Sequence, residues 1–171
     1  MSRKPATPRS TATEMSASIS PLSVLQRFRV LIRTAQRHSQ WIERQSGITG
    51  AQLWALQELS EKPGLRVGEL ANMMALHQST ASNMIDKLES AGLVRKERTS
   101  ADQRVVRLYL TDSGAELLTL APSPARGVLP EALRQLPADE LSRLQQDLDA
   151  LLKQIKEMDE GFGMQPLPFT E

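Results

Sequence analysis

The sequence predicts a mainly α-helical protein with one small β-hairpin: a winged helix-turn-helix core flanked by N- and C-terminal dimerisation helices. Apolar residues recur at spacings of three and four through most of the chain, and the period falls to about two between residues 93 and 110. Two short helices joined by a tight turn come directly before this hairpin, which is the order of a winged helix. The length of 171 residues fits one domain, expected over residues 21–160.

The N-terminal part predicts a leader followed by two helices. Residues 1–20 are rich in Ser, Thr, Ala and Pro, which favours a disordered leader; a basic arm that touches DNA is the alternative. An apolar stripe predicts a long helix over residues 21–46, which Gly47 ends. Thr49 is placed to cap a second helix that ends near Pro63.

The helix-turn-helix is predicted over about residues 67–91 and the wing over about residues 93–111. The second helix of the pair has Ala81, Met84, Ile85 and Leu88 on one face, at helical spacing. In the wing, Val106, Leu108 and Leu110 alternate with other residues, after a polar turn. Thr111 then caps a fifth helix, over residues 112–120.

The C-terminal third predicts one more long helix. The helical pattern is interrupted after the fifth helix by Pro122, Pro124, Gly127 and Pro130. A leucine-rich stripe at alternating spacings of three and four predicts the last helix over about residues 137–158. Residues 161–171 are expected to be a loose tail.

Charge is unevenly distributed along a chain whose net charge is only +1. Residues 1–65 contain nine basic and four acidic residues, whereas residues 112–171 contain five basic and eleven acidic ones. Five basic residues also lie in the predicted wing, between residues 94 and 107. The near-neutral total therefore conceals a basic surface suited to nucleic acid.

Composition excludes several classes of function. The chain has no cysteine and two histidines, which excludes thiolate zinc sites, a cysteine nucleophile, thiol redox sensing and a histidine-rich metal centre. We find no nucleophile paired with a base and no glycine loop that would hold phosphate, so we expect neither an enzyme nor a cofactor. No apolar run is long enough for a membrane span or a signal peptide, and we expect a cytoplasmic protein.

The outer face of the second helix and the wing are the candidate DNA-binding site. Hydroxyls and amides there can approach phosphates and base edges, and Lys87 can meet a phosphate. A plain solvent-exposed face is the alternative for such a helix on its own, but the adjacent wing has Arg98 and Arg104 beside its turn, where an arginine can enter the minor groove. The candidates on the helix are Gln78, Ser79, Thr80, Ser82, Asn83 and Lys87.

These motifs resemble the MarR (multiple antibiotic resistance regulator) family of winged-helix transcription factors. The resemblance is carried by Val67-Gly-Glu-Leu-Ala71, Ser79-Thr-Ala-Ser82, Leu88-Glu-Ser-Ala-Gly-Leu-Val94, Asp102-Gln-Arg104 and Leu108-Tyr-Leu-Thr-Asp-Ser-Gly114. It implies that Arg104 is the wing-tip arginine for the minor groove and that Asp102 orients it or Arg98. Asn83 occupies a position that is often basic in the family, and the proline-rich segment 122–130 replaces what is commonly one long helix.

The apolar stripes of the two outer helices favour burial in a two-fold homodimer, with packing inside one chain as the alternative. Such a dimer would place two recognition helices on a pseudo-palindromic operator. The family resemblance also implies a small anionic aromatic effector, for which His38, Trp41 and Trp54 are the candidates, with Arg37 as a nearby cation. The alternative, which is the more common case for such residues, is that Trp54 belongs to the core and that Trp41 and His38 belong to the helix surface or its packing.

Two hypotheses for function follow. The first is a sequence-specific regulator of transcription that binds double-stranded DNA as a ligand-responsive homodimeric repressor. The second is a winged-helix module that binds proteins and has little DNA specificity of its own. They differ in salt dependence, because phosphate contacts release counterions and make DNA affinity fall steeply with salt.

Overall fold

A computed structural model describes residues 20–99, 102–157 and 159–170, with the side chains of Thr99 and residues 102–104 outside that description. The leader expected over residues 1–20 lies outside the described residues except for Ser20, and Met158 lies outside them too. In chain order the elements are α1 (Pro21–Ser46), α2 (Gly50–Glu61), α3 (Val67–Met73), α4 (Gln78–Ser90), β1 (Val94–Thr99), β2 (Asp102–Leu110), α5 (Asp112–Leu120), α6 (Val128–Gln135), α7 (Ala138–Leu152) and a short 3-10 helix (Glu160–Met164).

Local capping explains where the first two helices begin and end. Ser20 accepts a hydrogen bond from the Ser23 N–H at 3.1 Å, and the Ser23 hydroxyl oxygen accepts one from the Ser20 N–H. Helix α1 ends at Gly47, whose φ of 72° is the left-handed conformation that glycine adopts without a steric cost. Thr49 caps α2 as the sequence predicts.

The hydrophobic core lies in a lobe formed by α2, α3, α4 and the hairpin, to which the C-terminal half of α1 adds Ile42. All four residues of the predicted α4 stripe are buried, and so are the inward residues of α3. The largest fully buried side chains are Ile42, Leu53, Leu56, Leu59, Leu70, Ile85, Leu88, Val94 and Leu108. Helix α4 is therefore held on one face, which leaves its other face outside the lobe.

The wing is an antiparallel hairpin closed at its base by the start of α5. Val94 pairs with Leu110, and the register continues to Arg98 opposite Val106, after which a bulge interrupts it. Thr111 caps α5 and also donates from its hydroxyl to the Gly92 carbonyl at 2.6 Å. A Cβ atom at Gly114 would lie 2.1 Å from the Leu93 carbonyl oxygen, so this close approach of α5 to the hairpin requires glycine.

The segment after α5 differs from the sequence prediction. The prolines do interrupt the chain, but a further helix, α6, begins at Val128. Pro130 lies in its first turn, where the missing N–H has no intrahelical acceptor to lose. The last helix, expected to reach residue 158, ends at Leu152. Beyond it the N–H groups of Gln154 and Ile155 donate to carbonyls three residues back, so the α-helical hydrogen-bond pattern changes to tighter turns there.

The expectation of a loose tail over residues 161–171 is wrong for the part that the structure describes. The C-terminal segment, residues 159–170, forms the 3-10 helix and returns to the core lobe. The Ala51 N–H donates to the Thr170 carbonyl at 3.0 Å, and the His77 N–H donates to the Met164 carbonyl at 2.9 Å. Ala51 is in the first turn of α2, where N–H groups have no partner within the helix, so the segment satisfies a donor that is otherwise free.

Within the described residues, none of the helices is both long enough and apolar enough to cross a lipid bilayer.

Candidate nucleic-acid interface

Helix α4 presents a polar face away from the core. Gln78, Ser79, Asn83 and Lys87 are exposed, and Thr80 and Ser82 are half-buried. The opposite face packs into the lobe through the buried stripe from Ala81 to Leu88, so the orientation of the polar face is fixed. The structure thus brings together all six candidates predicted on this helix.

A tight turn sets the start of α4 relative to α3. Ala75 has a φ of 51°, an uncommon value for a residue with a Cβ, and the Leu76 N–H donates to the Ala71 carbonyl at 2.9 Å. Leu76 is buried and anchors the turn in the core. Because no glycine marks this turn, the sequence gives no conformational signal for its left-handed residue.

The wing lies beside α4 and has Arg98 exposed near its tip. Asp102 and Arg104 are in the first residues of β2, with Asp102 opposite Thr99, so their backbones are also near the tip. Their side chains lie outside the described part of the structure. The backbone alone therefore supports their predicted location, and their roles at DNA stay predictions.

Most basic residues counted in the wing bind within the protein. Arg107 donates to the Gly64 carbonyl at 2.9 Å, and this fastens β2 to the loop before α3. Arg95 lies over the Tyr109 ring, 4.8 Å from its centroid, and also pairs with Glu97. The local positive charge is thus partly structural, which the charge count does not reveal.

Lys96 joins the wing to α4, which is the candidate recognition helix. Its Nζ lies 2.5 Å from Asp86 Oδ1 and 2.7 Å from Glu89 Oε2, both on α4. The hydrogen bonds to Asp86 and then Glu89 raise the pKa of Lys96, so it stays charged. Lys96 therefore neutralises two carboxylates beside the proposed DNA-binding face and fixes the wing against α4.

The predicted effector residues do not all line one cavity. His38 and Trp54 line a cavity of about 300 Å³ between α1, α2, α6 and the C-terminal segment, and Trp41 and Arg37 lie outside its lining. Trp41 is 46% exposed and meets the His38 ring edge-on at 5.7 Å. The expected wall of two tryptophans with Arg37 is therefore not formed at this cavity: Trp41 contacts His38 from the next turn of α1 but lies outside the lining.

Arg126, which the sequence does not single out, is the cation at this cavity. Its Nε donates to Glu58 Oε1 and its Nη2 to Glu61 Oε2, each at 2.6 Å. Glu58 is buried and also accepts from the Trp54 indole N–H at 2.8 Å. These bonds raise the pKa of Arg126 and lower that of Glu61.

The same segment is tied to α1. His38 Nε2 donates to the Pro124 carbonyl at 3.0 Å, so His38 has a structural partner. His38 and Arg126 together hold the proline-rich segment against α1 and α2. Their partners are 86 and 68 residues away in sequence, a separation at which no local pattern can indicate a contact.

Comparison with known proteins agrees with the motifs. The family model described as "MarR family" matches residues 48–106. The HTH-type transcriptional repressor MdtR of Bacillus subtilis is 31% identical over 118 residues, which cover 69% of this chain and 76% of MdtR. The transcriptional regulator HosA of Escherichia coli O157:H7 is 29% identical over 66% of this chain and 84% of HosA.

Solved structures confirm the predicted fold class. The transcriptional regulator BldR from Sulfolobus solfataricus superposes with a TM-score of 0.52 at 26% identity, over 78% of this chain and 95% of BldR. A mutant MarR from E. coli complexed with operator DNA has a TM-score of 0.51 at 23% identity, over 76% of this chain and 96% of that protein. With its winged helix-turn-helix and these relatives, the chain belongs to the MarR family of DNA-binding transcriptional regulators.

Proposed function

We propose that the protein is a homodimeric repressor that binds a pseudo-palindromic operator and responds to a small aromatic ligand. The observation that carries the proposal is the polar face of α4, held outward by a fully buried apolar face and joined to the wing through Lys96. A surface built in this way can enter a major groove while the arginines of the wing reach the adjacent minor groove.

In this proposal each part of the surface has a separate task. Asn83 and Gln78 read base edges, because an amide can pair with adenine through two hydrogen bonds. Ser79, Thr80, Ser82 and Lys87 contact phosphates and set the register. Arg98 and Arg104 serve the minor groove, and Asp102 orients one of them.

The proposed dimer rests on apolar side chains that a single chain leaves exposed. In the N-terminal half of α1, Leu22 is 71% exposed, and Val30, Leu31 and Ile32 are half exposed. Helix α7 exposes a row of leucines, namely Leu141, Leu144, Leu148, Leu151 and Leu152. Exposed apolar surface of this extent on two terminal helices is typical of a protein interface.

Oligomeric state tests the dimer directly. We expect Leu144→Asp to shift the mass measured by light scattering at micromolar concentration towards the monomer, because the charge would be buried in the interface. Gln146→Asp, on the opposite face of α7, is the matched control and should leave the mass unchanged. A monomeric parent protein would contradict the proposed dimer.

The ligand proposal rests on the apolar cavity beside α2. Trp54 and His38 offer ring surfaces for an aromatic ligand, and the volume of about 300 Å³ suits a small molecule. Arg126 is already paired with Glu58 and Glu61, so an anionic group on the ligand must compete with the more exposed Glu61. Aromatic acids that change neither the melting temperature nor the DNA affinity would contradict this part.

Selection of bound fragments from the source genome tests the DNA function. We expect fragments that share a pseudo-palindrome whose half-sites are about one helical turn apart. Recovery of fragments without a shared sequence would favour a protein-interaction module instead.

A further inference from the structure

The C-terminal segment is hydrogen-bonded both to the residue before the proposed recognition helix, α4, and to the first turn of α2. It runs from Asp159 to Thr170 and hydrogen-bonds, through its carbonyls, to His77, the residue before α4, and to Ala51 in the first turn of α2. Gln78 and Ser79, which we propose for DNA contact, directly follow His77. The position of this segment is therefore connected to the start of the recognition helix.

The same segment forms one side of the cavity beside α2. Phe162, Leu167 and Phe169 line it from the segment, facing the side that contains His38 and Trp54. Phe162 is 67% exposed and Leu167 is 44% exposed, so these side chains are only partly buried. A segment held by few buried contacts opens by local unfolding more readily than the core does.

We propose that residues 159–170 act as an intramolecular lid on this cavity, which a ligand must displace in order to enter. Displacement of the segment removes the Met164 carbonyl that accepts from the His77 N–H. Opening of the cavity therefore changes the hydrogen bonding at the start of α4. The coupling to DNA rests on the proposed function, whereas the lid does not.

The lid makes a quantitative prediction about ligand affinity. A ligand that binds only the open state has an apparent affinity reduced by the fraction of molecules that are open. If about 10% or less of the molecules are open, as for a typical minor state, removal of the lid raises the apparent affinity about tenfold or more.

The test uses the full chain with Trp41→Phe, which leaves Trp54 as its single tryptophan. Leu167→Asp with Phe169→Asp detaches the lid by placing charges against an apolar wall, and deletion of residues 159–171 is the second lid variant. Lys156→Asp is the matched control, since it adds an acid next to the segment but outside the cavity lining. The probes are acrylamide quenching of Trp54 and binding of anilinonaphthalene sulfonate, an anionic aromatic dye.

We expect both lid variants to show stronger quenching of Trp54 and about tenfold tighter dye binding, and the Lys156→Asp protein to behave like the parent. The lid proposal would be overturned if the lid variants and the parent showed the same quenching of Trp54 and the same dye affinity, or if none of them bound the dye. Weaker dye binding by the lid variants would also overturn it, because the segment would then be part of the ligand site.

Coupling to DNA is measured on the same proteins. We expect the dye to change the DNA affinity of the parent and to have little effect on the lid variants; an equal effect in both would overturn the coupling. If the parent bound no DNA, the proposed function would fail and so would the coupling, but the fluorescence result for the lid would stand independently.

Discussion

Arg126→Met tests the claim that a buried ion pair holds the proline-rich segment to the core lobe. The side chains of Arg126 and Glu58 are 11% and 5% exposed, so the substitution leaves a buried carboxylate without its cation. Breaking a buried pair in this way costs about 3–5 kcal/mol of unfolding free energy. The lower end is expected, because the Trp54 indole N–H still donates to Glu58. The second pair, with the half-exposed Glu61, adds less than about 1 kcal/mol.

Urea denaturation at fixed protein concentration measures this change. Arg134→Met is the matched control, since Arg134 pairs with Glu131 on the exposed side of α6, and we expect it to change stability by less than about 0.5 kcal/mol. Adding Glu58→Gln to Arg126→Met should recover part of the loss, because it removes the unpaired charge. The reasoning is refuted if Arg126→Met and Arg134→Met have the same small effect.

The Arg126–Glu61 pair predicts that the stability of the protein depends on pH. Arg126 lowers the pKa of Glu61 below its ordinary value of 4.5, so the charged form is favoured in the folded protein. The contribution of Glu61 to stability is therefore complete above pH 4.5. It is lost as the pH falls through the lower pKa that Glu61 has in the folded protein. Arg126→Met should reduce this acid-dependent loss, measured by denaturation between neutral and acidic pH.

Three single substitutions and one double substitution test the DNA-binding surface. Arg104→Ala should weaken operator binding by about 1–3 kcal/mol and flatten the salt dependence; unchanged binding in an anisotropy titration would remove the wing from the mechanism. Asn83→Ala should relax base preference at one position in each half-site, and identical selected sequences for variant and parent would contradict that reading. Lys96→Met should lower DNA affinity several-fold, because Asp86 and Glu89 lose their counter-ion beside the DNA, while it costs less than about 1 kcal/mol of stability. Asp86→Asn in the Lys96→Met background should restore part of that affinity, and no restoration would show that Lys96 does not act through charge.

Features set by neighbouring residues were predictable from the sequence. The apolar stripe from Ala81 to Leu88 is buried as its spacing predicts, and the same spacing identifies the outward face of α4. The caps at Thr49 and Thr111 and the stop at Gly47 also follow from local chemistry.

Features set by distant residues were not predictable. The Arg126 ion pairs and the docking of the C-terminal segment both depend on partners far away in sequence. Helix α6 had a local signal that the prediction did not use, because a proline in the first turn of a helix is tolerated. The charge of the wing illustrates the same limit: counting could not show that Lys96 and Arg107 bind within the protein rather than face DNA. The sequence also could not show that Trp41 lies outside the lining of the cavity, because residue type does not reveal which residues of α1 border it.

The central claim is that α4 and the wing recognise a specific DNA sequence. The most direct test measures how binding depends on salt, for the selected operator and for a scrambled duplex. We expect log affinity for the operator to fall linearly with log salt, at a slope of about −0.9 for each phosphate neutralised. At physiological salt the operator should be bound about a thousandfold or more tightly than the scrambled duplex. Equal affinities for the two duplexes, with little dependence on salt, would contradict the account.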